Sequence, residues 1–281
     1  MTTIDVRGIR VPSFLYGTAW KEDATEPLVF GALTTGFRGI DTANQRKHYY
    51  EAGVGAAVAR KLEDGSLRRA DLFIQTKFTF IDGQDHRLPY DADAPIAEQV
   101  AQSFRSSLEH LGVDTIDSLV LHGPSQRDGL GPDDHEAWRA MEAIADSGRV
   151  ALLGISNSTA RQVSELVSFA RVAPAFVQNR CYAERAWDAP VRKLCTDHGM
   201  VYQGFSLLTA NRQVLDHPDV RAIAKRHGKT PAQIVFRFSR QVGMLPLTGT
   251  KDPAHMKLDL AIDDFELSAQ EITTITDAGK R

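Results

Sequence analysis

The chain is 281 residues long, a length that one α/β barrel fills around a single core. Apolar residues make up 42% and charged residues 25%, and a formal net charge of -3 without a long basic run leaves no electrostatic footprint for nucleic acid or an anionic membrane. Asp5 and Arg7 near the start, no apolar run approaching about 18 residues, and only two cysteines, Cys181 and Cys195, predict a cytoplasmic protein with reduced thiols and no membrane span.

In chain order, residues 4–10 read as a small hairpin turning at Gly8. Short β-rich runs follow at 13–16, 39–42, 72–77, 118–122, 151–156, 176–179, 201–206 and 244–248. Most are continuous apolar stretches rather than alternating ones, the pattern of parallel strands buried on both faces. Helical periods lie between them. Gly53 and Gly55 fall inside one such helix, not in a phosphate-binding turn. Residues 78–94, rich in Asp, Gly and Pro, read as a long loop above the strands. Ile96, Val100, Phe104, Leu108 and Leu111 mark one apolar helical face. Trp138, Met141 and Ile144 mark another, stopped at Gly148. Ser158 is placed to cap a helix carrying Val163, Leu166 and Val167. Pro190 and Pro231 suit first helical turns, the latter just after the cap candidate Thr230. Ser268 and Glu271 form a capping box before the last helix. This alternation predicts an α/β fold, a (β/α)8 TIM barrel with a short N-terminal hairpin, as one domain over residues 1–281. An open doubly wound sheet is disfavoured because no Gly-x-Gly-x-x-Gly follows the first strand.

In such a barrel the C-terminal strand ends converge on the active site. The second predicted strand ends at Asp41, the third at Lys77 and the fourth at His122, with Tyr49 in the loop after Asp41. Singly, each has a plain reading as a rim charge, a buried imidazole or an aromatic anchor. Together they make a coherent acid. A phenol is a weak acid, and a neighbouring ammonium lowers its pKa. Lys77 is expected to supply that charge and Asp41 to hold it, while His122 orients a carbonyl oxygen toward Tyr49.

At these residues the sequence resembles the aldo-keto reductases. The resemblance runs through Gly17-Thr18-Ala19-Trp20-Lys21, residues 36–43, Thr76-Lys77, Leu121-His122, Gly154-Ile155-Ser156-Asn157, Val177-Gln178-Asn179 and Asp264-Phe265-Glu266-Leu267-Ser268. It implies an oxidoreductase that reduces a small-molecule aldehyde or ketone by hydride transfer from NADPH, through an Asp41–Tyr49–Lys77–His122 tetrad. It further implies Ser156, Asn157 and Gln178 on the nicotinamide carboxamide and Phe205, where the family usually has tyrosine, stacked on the ring. Ser206 and Leu208 then lie under the pyrophosphate, and Trp20 walls the substrate pocket.

The sequence departs from the family pattern in three places. Asp41-Thr42-Ala43 is followed by a longer stretch ending His48-Tyr49-Tyr50-Glu51, which leaves Tyr50 and His48 as alternatives to Tyr49 for the acid. The lysine usual after the last strand is absent from Pro246-Leu247-Thr248. Lys251 and His255, with Thr248 and Thr250 as hydroxyl donors, are left to hold a 2′-phosphate, so NADPH is expected with NADH as the alternative. The 78–94 loop carries Asp82, Asp85, His86, Asp91 and Asp93 without metal-ligand spacing; no metal is expected, and His86 is a candidate substrate contact. Two other functions compete: a Schiff-base lyase or aldolase using Lys77 as nucleophile, and a non-catalytic nucleotide-sensing barrel.

Overall fold

A computed structural model describes residues 2–280. Its first feature is the hairpin, β1 (Thr3–Val6) against β2 (Ile9–Pro12), with Val6 opposite Ile9. The turn is therefore the pair Arg7-Gly8, and both take positive φ (55° and 83°), as a type I′ turn demands. The Arg7 guanidinium donates to the carbonyls of Ala173 and Pro174 (2.5 and 2.7 Å), which ties the hairpin to the structure beside it.

Eight parallel strands then close on themselves: β3 (Leu15–Gly17), β4 (Gly39–Asp41), β5 (Phe73–Phe78), β6 (Ile116–Leu121), β7 (Val150–Ser156), β8 (Phe176–Arg180), β9 (Val201–Phe205) and β10 (Met244–Thr248). They run in sequence order, and β10 pairs back onto β3, so no edge is left open. Each predicted run coincides with a strand. The first starts two residues late, because Ser13 still belongs to the hairpin side and donates its N–H to the Thr2 carbonyl (3.1 Å).

The helices between strands are α1 (Thr25–Thr35), α2 (Glu51–Glu63), α3 (Ile96–Leu111), α4 (Pro132–Asp146), α5 (Ala160–Phe169), α6 (Ala189–Asp197), α7 (Arg212–Asp216), α8 (Pro218–His227) and α9 (Pro231–Gln241), with α10 (Pro253–Leu260) and α11 (Ala269–Ala278) after β10. Thr230 and Ser268 cap α9 and α11 as their sequences predict, their hydroxyls accepting from the N–H groups of Gln233 and Glu271. The cap of α5 is Thr159, not Ser158: Thr159 forms a capping box with Gln162. Among the described residues no helix is long and apolar enough to cross a membrane.

Two apolar zones sandwich the strands. The larger lies between strands and helices and includes Ile40, Ile74, Leu119, Trp138 and Phe236. The smaller gathers Val6 and Val11 of the hairpin with Leu15, Phe73, Leu152, Phe176 and Leu245, so the hairpin plugs the barrel where its strands begin. Side chains two apart on a strand share a face. Counting on from this plug, Phe73 leads to Gln75 and Lys77, Phe176 to Gln178, and Leu152 to Gly154 and Ser156. The interior thus changes from apolar to polar toward the strands' C-terminal ends.

Candidate active site

The polar layer is built around Asp41. Its Oδ1 accepts from Lys77 Nζ (2.8 Å), Gln75 Nε2 (2.7 Å) and Gln178 Nε2 (2.9 Å), and its Oδ2 accepts from Lys77 (2.7 Å). Gln203 links Gln75 to Gln178, its Oε1 accepting from both (2.8 and 2.9 Å). The third proton of Lys77 goes to the Thr42 carbonyl (2.7 Å), so every N–H of the ammonium has a partner. Lys77 is 1% exposed. Burial pushes its pKa down, while Asp41 pulls it back.

Tyr49 reaches this pair through a tight turn. The Gln45 carbonyl accepts from the N–H groups of both His48 (3.1 Å) and Tyr49 (2.9 Å), which swings the phenol ring over Lys77, whose Nζ lies 5.2 Å from the ring centroid. The His122 ring meets Tyr49 edge-on at 5.7 Å. The turn absorbs the extra residues of this loop. Tyr50 goes elsewhere: it precedes α2, its ring lies under the Arg46 guanidinium (4.3 Å), and it lines a hollow with Arg87 that Tyr49 borders from its other side. His48 stacks on Trp20 with ring centroids 3.9 Å apart, and its Nδ1 bonds Gln45 Oε1 (2.9 Å).

The electrostatics correct one expectation. Burial, and secondarily the charge of Asp41, push the Tyr49 phenol above its usual pKa rather than below it. The carboxylate paired to Lys77 offsets the ammonium's field, so the phenol keeps its proton. His122 is pushed well below the ordinary histidine value by burial, then by Lys77 and His48, which makes it a neutral imidazole. Its Nδ1 lies 2.6 Å from the Thr79 hydroxyl.

Tyr49, His122, Asn157, Phe205 and Trp20 are shared by two adjoining cavities. One, about 580 Å³, runs from Asp41, Ser156 and Gln178 past Ser206, Leu207 and Leu208 to Thr248, Thr250, Lys251 and His255. The other, about 510 Å³, is bounded by His48, Phe80, Ile81 and Pro124. Trp20, 63% exposed, forms an apolar wall between them. His86 is exposed and lines neither; the neighbouring Arg87 pairs with Asp85 and turns this stretch away from the cavities. Among the described residues no cluster of three or more His, Cys, Asp or Glu side chains is placed to hold a metal ion.

The long cavity suits a dinucleotide by its donor set. Gln178 spends its amide N–H groups on Asp41 and Gln203, which leaves its Oε1 as an acceptor. Asn157, at φ 52°, donates to the His122 carbonyl (2.7 Å) and likewise keeps Oδ1 free. These are the acceptors that a carboxamide NH2 needs. Ser206, at φ 56°, opens a tight loop in which its carbonyl accepts from the Ala210 N–H (2.9 Å). At the far end the Thr248 hydroxyl donates to Asp259 (2.8 Å) and is no longer a spare donor. Lys251, His255 and Asp259 line this end, His255 lies 3.9 Å from Asp252, and the buried Lys21 ammonium, which donates to the Gly249 carbonyl (2.8 Å), is close enough to feel the charge of Lys251.

Residues 15–280 match the family model of the aldo/keto reductases. The chain belongs to the aldo/keto reductase family. It is 31% identical over 254 residues to an aldo-keto reductase of Mycobacterium tuberculosis, covering 90% of this chain and 82% of that one. It is 28% identical over 306 residues to a probable NAD(P)H-dependent D-xylose reductase of Arthroderma otae, covering 96% and 88%. An aldo/keto reductase structure from Brucella melitensis superposes with a TM-score of 0.83 at 26% identity, over 98% of this chain and 97% of that one. Membership supports a carbonyl-reducing oxidoreductase. Several site residues of this aldo/keto reductase escape a reading of strand ends. Gln75 lies three residues and Gln203 two residues below the strand ends, where period-two alternation was the available signal. Thr79 and Asn211 lie in loops; Asn211 braces the Ser206 loop by donating to the Leu207 carbonyl (2.9 Å). Asp259, on a helix, carries no such signal.

Proposed function

We propose that this aldo/keto reductase reduces an aldehyde or ketone to an alcohol with NAD(P)H, Tyr49 giving the proton and His122 orienting the carbonyl. The observation that carries this reading is the placement of Tyr49 over the Lys77–Asp41 pair and beside His122, where the two cavities meet. A reduced nicotinamide, when bound, supplies the hydride. Asn157 and Gln178 would hold its carboxamide, Phe205 would offer an apolar face to its ring, and the 206–210 loop would receive the pyrophosphate. The substrate carbonyl then occupies the second cavity with its oxygen between Tyr49 Oη and His122.

A phenol held above its usual pKa makes no proton transfer to a neutral carbonyl. It gives its proton to the oxygen only as alkoxide character develops, because an alkoxide is the stronger base. The neutral imidazole stabilises the same oxygen by donating one hydrogen bond. Lys77 is poorly disposed as a Schiff-base nucleophile: it lies beneath Tyr49 with all its protons engaged and lines neither cavity. The preference for NADPH rests on Lys251 at the adenosine end, with NADH as the alternative because the lysine usual after the last strand is absent. The two buried free thiols, Cys181 and Cys195, suit a reducing, cytoplasmic setting.

The deciding experiment follows NADPH and NADH absorbance with a panel of aldehydes and ketones. Tyr49→Phe should lower kcat by roughly 10²- to 10⁴-fold while the cofactor Kd, read by fluorescence, stays as in the wild type. Tyr50→Phe and His48→Gln should retain most activity. Full activity in Tyr49→Phe would refute the assignment of the acid.

A further inference from the structure

We infer that Thr79 is a positioning residue for this reaction: its hydroxyl fixes which ring nitrogen of His122 carries the proton, and so makes Nε2 the donor to the substrate oxygen. The inference rests on the carbonyl-reductase reading above. It begins from a geometric fact, the 2.6 Å contact between Thr79 Oγ1 and His122 Nδ1. Nδ1 is thereby engaged with the protein, and among the described residues Nε2 has no protein partner. A neutral imidazole carries one N–H, so two arrangements are open.

In the first, the Thr79 hydroxyl donates to Nδ1 and the proton sits on Nε2, facing the cavity. In the second, Nδ1–H donates to Thr79, and the threonine's own proton needs another acceptor. Thr79 is buried, and no other group bonds its hydroxyl among the described residues. The second arrangement leaves the threonine's proton without a protein acceptor among the described residues and turns a bare Nε2 lone pair toward the carbonyl oxygen, which repels it. Only the first arrangement pairs both groups within the protein and leaves a donor for the substrate.

Thr79 is itself clamped by the long loop of residues 78–94. Its carbonyl accepts from the Tyr90 hydroxyl (2.7 Å) and from Gln84 Nε2 (3.3 Å). Its methyl group fills the space a side chain on Gly83 would enter, 2.6 Å from where that Cβ would stand. Gln84 also donates to the Asn44 carbonyl (2.9 Å), and Gln45 donates to the Gly83 carbonyl (2.6 Å). The loop thus joins the support of His122 to the turn that carries Tyr49.

The test uses the intact chain and two variants: Thr79→Val, which keeps the shape and removes the hydroxyl, and Thr79→Ser, which keeps the hydroxyl. Nitrogen-resolved NMR, with His122→Gln to identify the resonances, reads the tautomer directly. The wild type should show the proton on Nε2. Thr79→Val should give a mixed tautomer and lower kcat by roughly 10- to 100-fold with an unchanged cofactor Kd, and Thr79→Ser should restore both. A wild-type proton on Nδ1 would overturn the inference, and this holds even if Thr79→Val does not fold. So would a folded Thr79→Val with wild-type kcat, or a Thr79→Ser as slow as the valine variant, which would make the role one of packing. A wild type that oxidises neither nicotinamide with any carbonyl would sink the reductase reading instead, while the tautomer is read independently of turnover.

Discussion

Asp259 shows how one side chain couples the adenosine end of the cleft to stability. Its carboxyl is buried, with the Thr248 hydroxyl as hydrogen-bond donor, and burial raises its pKa from 3.8 to about 6. The folded state therefore binds this proton more tightly than the unfolded chain does. Below about pH 3.8 the group costs nothing; the cost grows as pH rises to about 6 and is complete at pH 7. Linkage puts it at roughly 2–3 kcal/mol. Asp259→Asn keeps an acceptor for Thr248 and removes the charge. It should unfold at a higher temperature than the wild type at pH 7, with the gap closing near pH 4. A gap of equal size at both pH values would contradict the burial argument. Sequence position made the strand-end charges legible: Asp41 and Lys77 interrupt apolar runs where barrel strands finish. Asp259 had no such setting, because an acidic residue on a short helix reads as a solvated face until the helix is seen against the cleft. Tyr49 depended on the turn at Gln45, a feature of backbone hydrogen bonding that residue spacing does not encode.

Among the elements, the α2–α3 pair gives a sharp test of contact against propensity. A Cβ on Gly55 would stand 2.1 Å from the His110 carbonyl oxygen and 2.9 Å from Leu111 Cα, and these are backbone atoms that cannot rotate aside. Helix propensity alone predicts that Gly55→Ala stabilises α2 by about 1 kcal/mol. The close approach predicts the reverse, a loss of about 1–3 kcal/mol as the two helices are forced apart. Urea unfolding distinguishes them, and a stabilised variant would show that the helices separate without penalty. The helix caps show what local pattern reveals. Serine is the better cap type of the pair Ser158 and Thr159, but only Thr159 has glutamine three residues on, and Gln162 is what the capping box uses. The loop of residues 78–94 was legible as a loop from its Asp, Gly and Pro content. Its function as a clamp was not, since the bonds from Tyr90 and Gln84 to the Thr79 carbonyl follow from tertiary placement.

At the scale of the molecule, the barrel was readable because buried parallel strands leave continuous apolar runs at regular spacing, while the cleft was readable only in fragments. Its lining begins at Gly17 and ends at Asp259, from residues supplied by β3, β4, β7, β8, β9, α9, β10, α10 and the loops between them. These residues meet only when β10 closes against β3, so the unfolded chain offers no equivalent site. A dinucleotide bound there must stabilise the fold by mass action, by about 2.7 kcal/mol at one hundred times its Kd. For a chain of this size that is a rise in Tm of about 5 °C. NADPH and NADH should each produce it at concentrations scaled to their own affinities. Lys251 separates them, because it is an exposed cation lining the adenosine end. Lys251→Ala should weaken NADPH binding by roughly tenfold, about 1.4 kcal/mol, and leave NADH unchanged. The readout is a smaller thermal shift at fixed NADPH and an unaltered shift at fixed NADH. Equal losses for both cofactors would mean that Lys251 contacts a group they share, and the preference for NADPH would then have no residue to rest on.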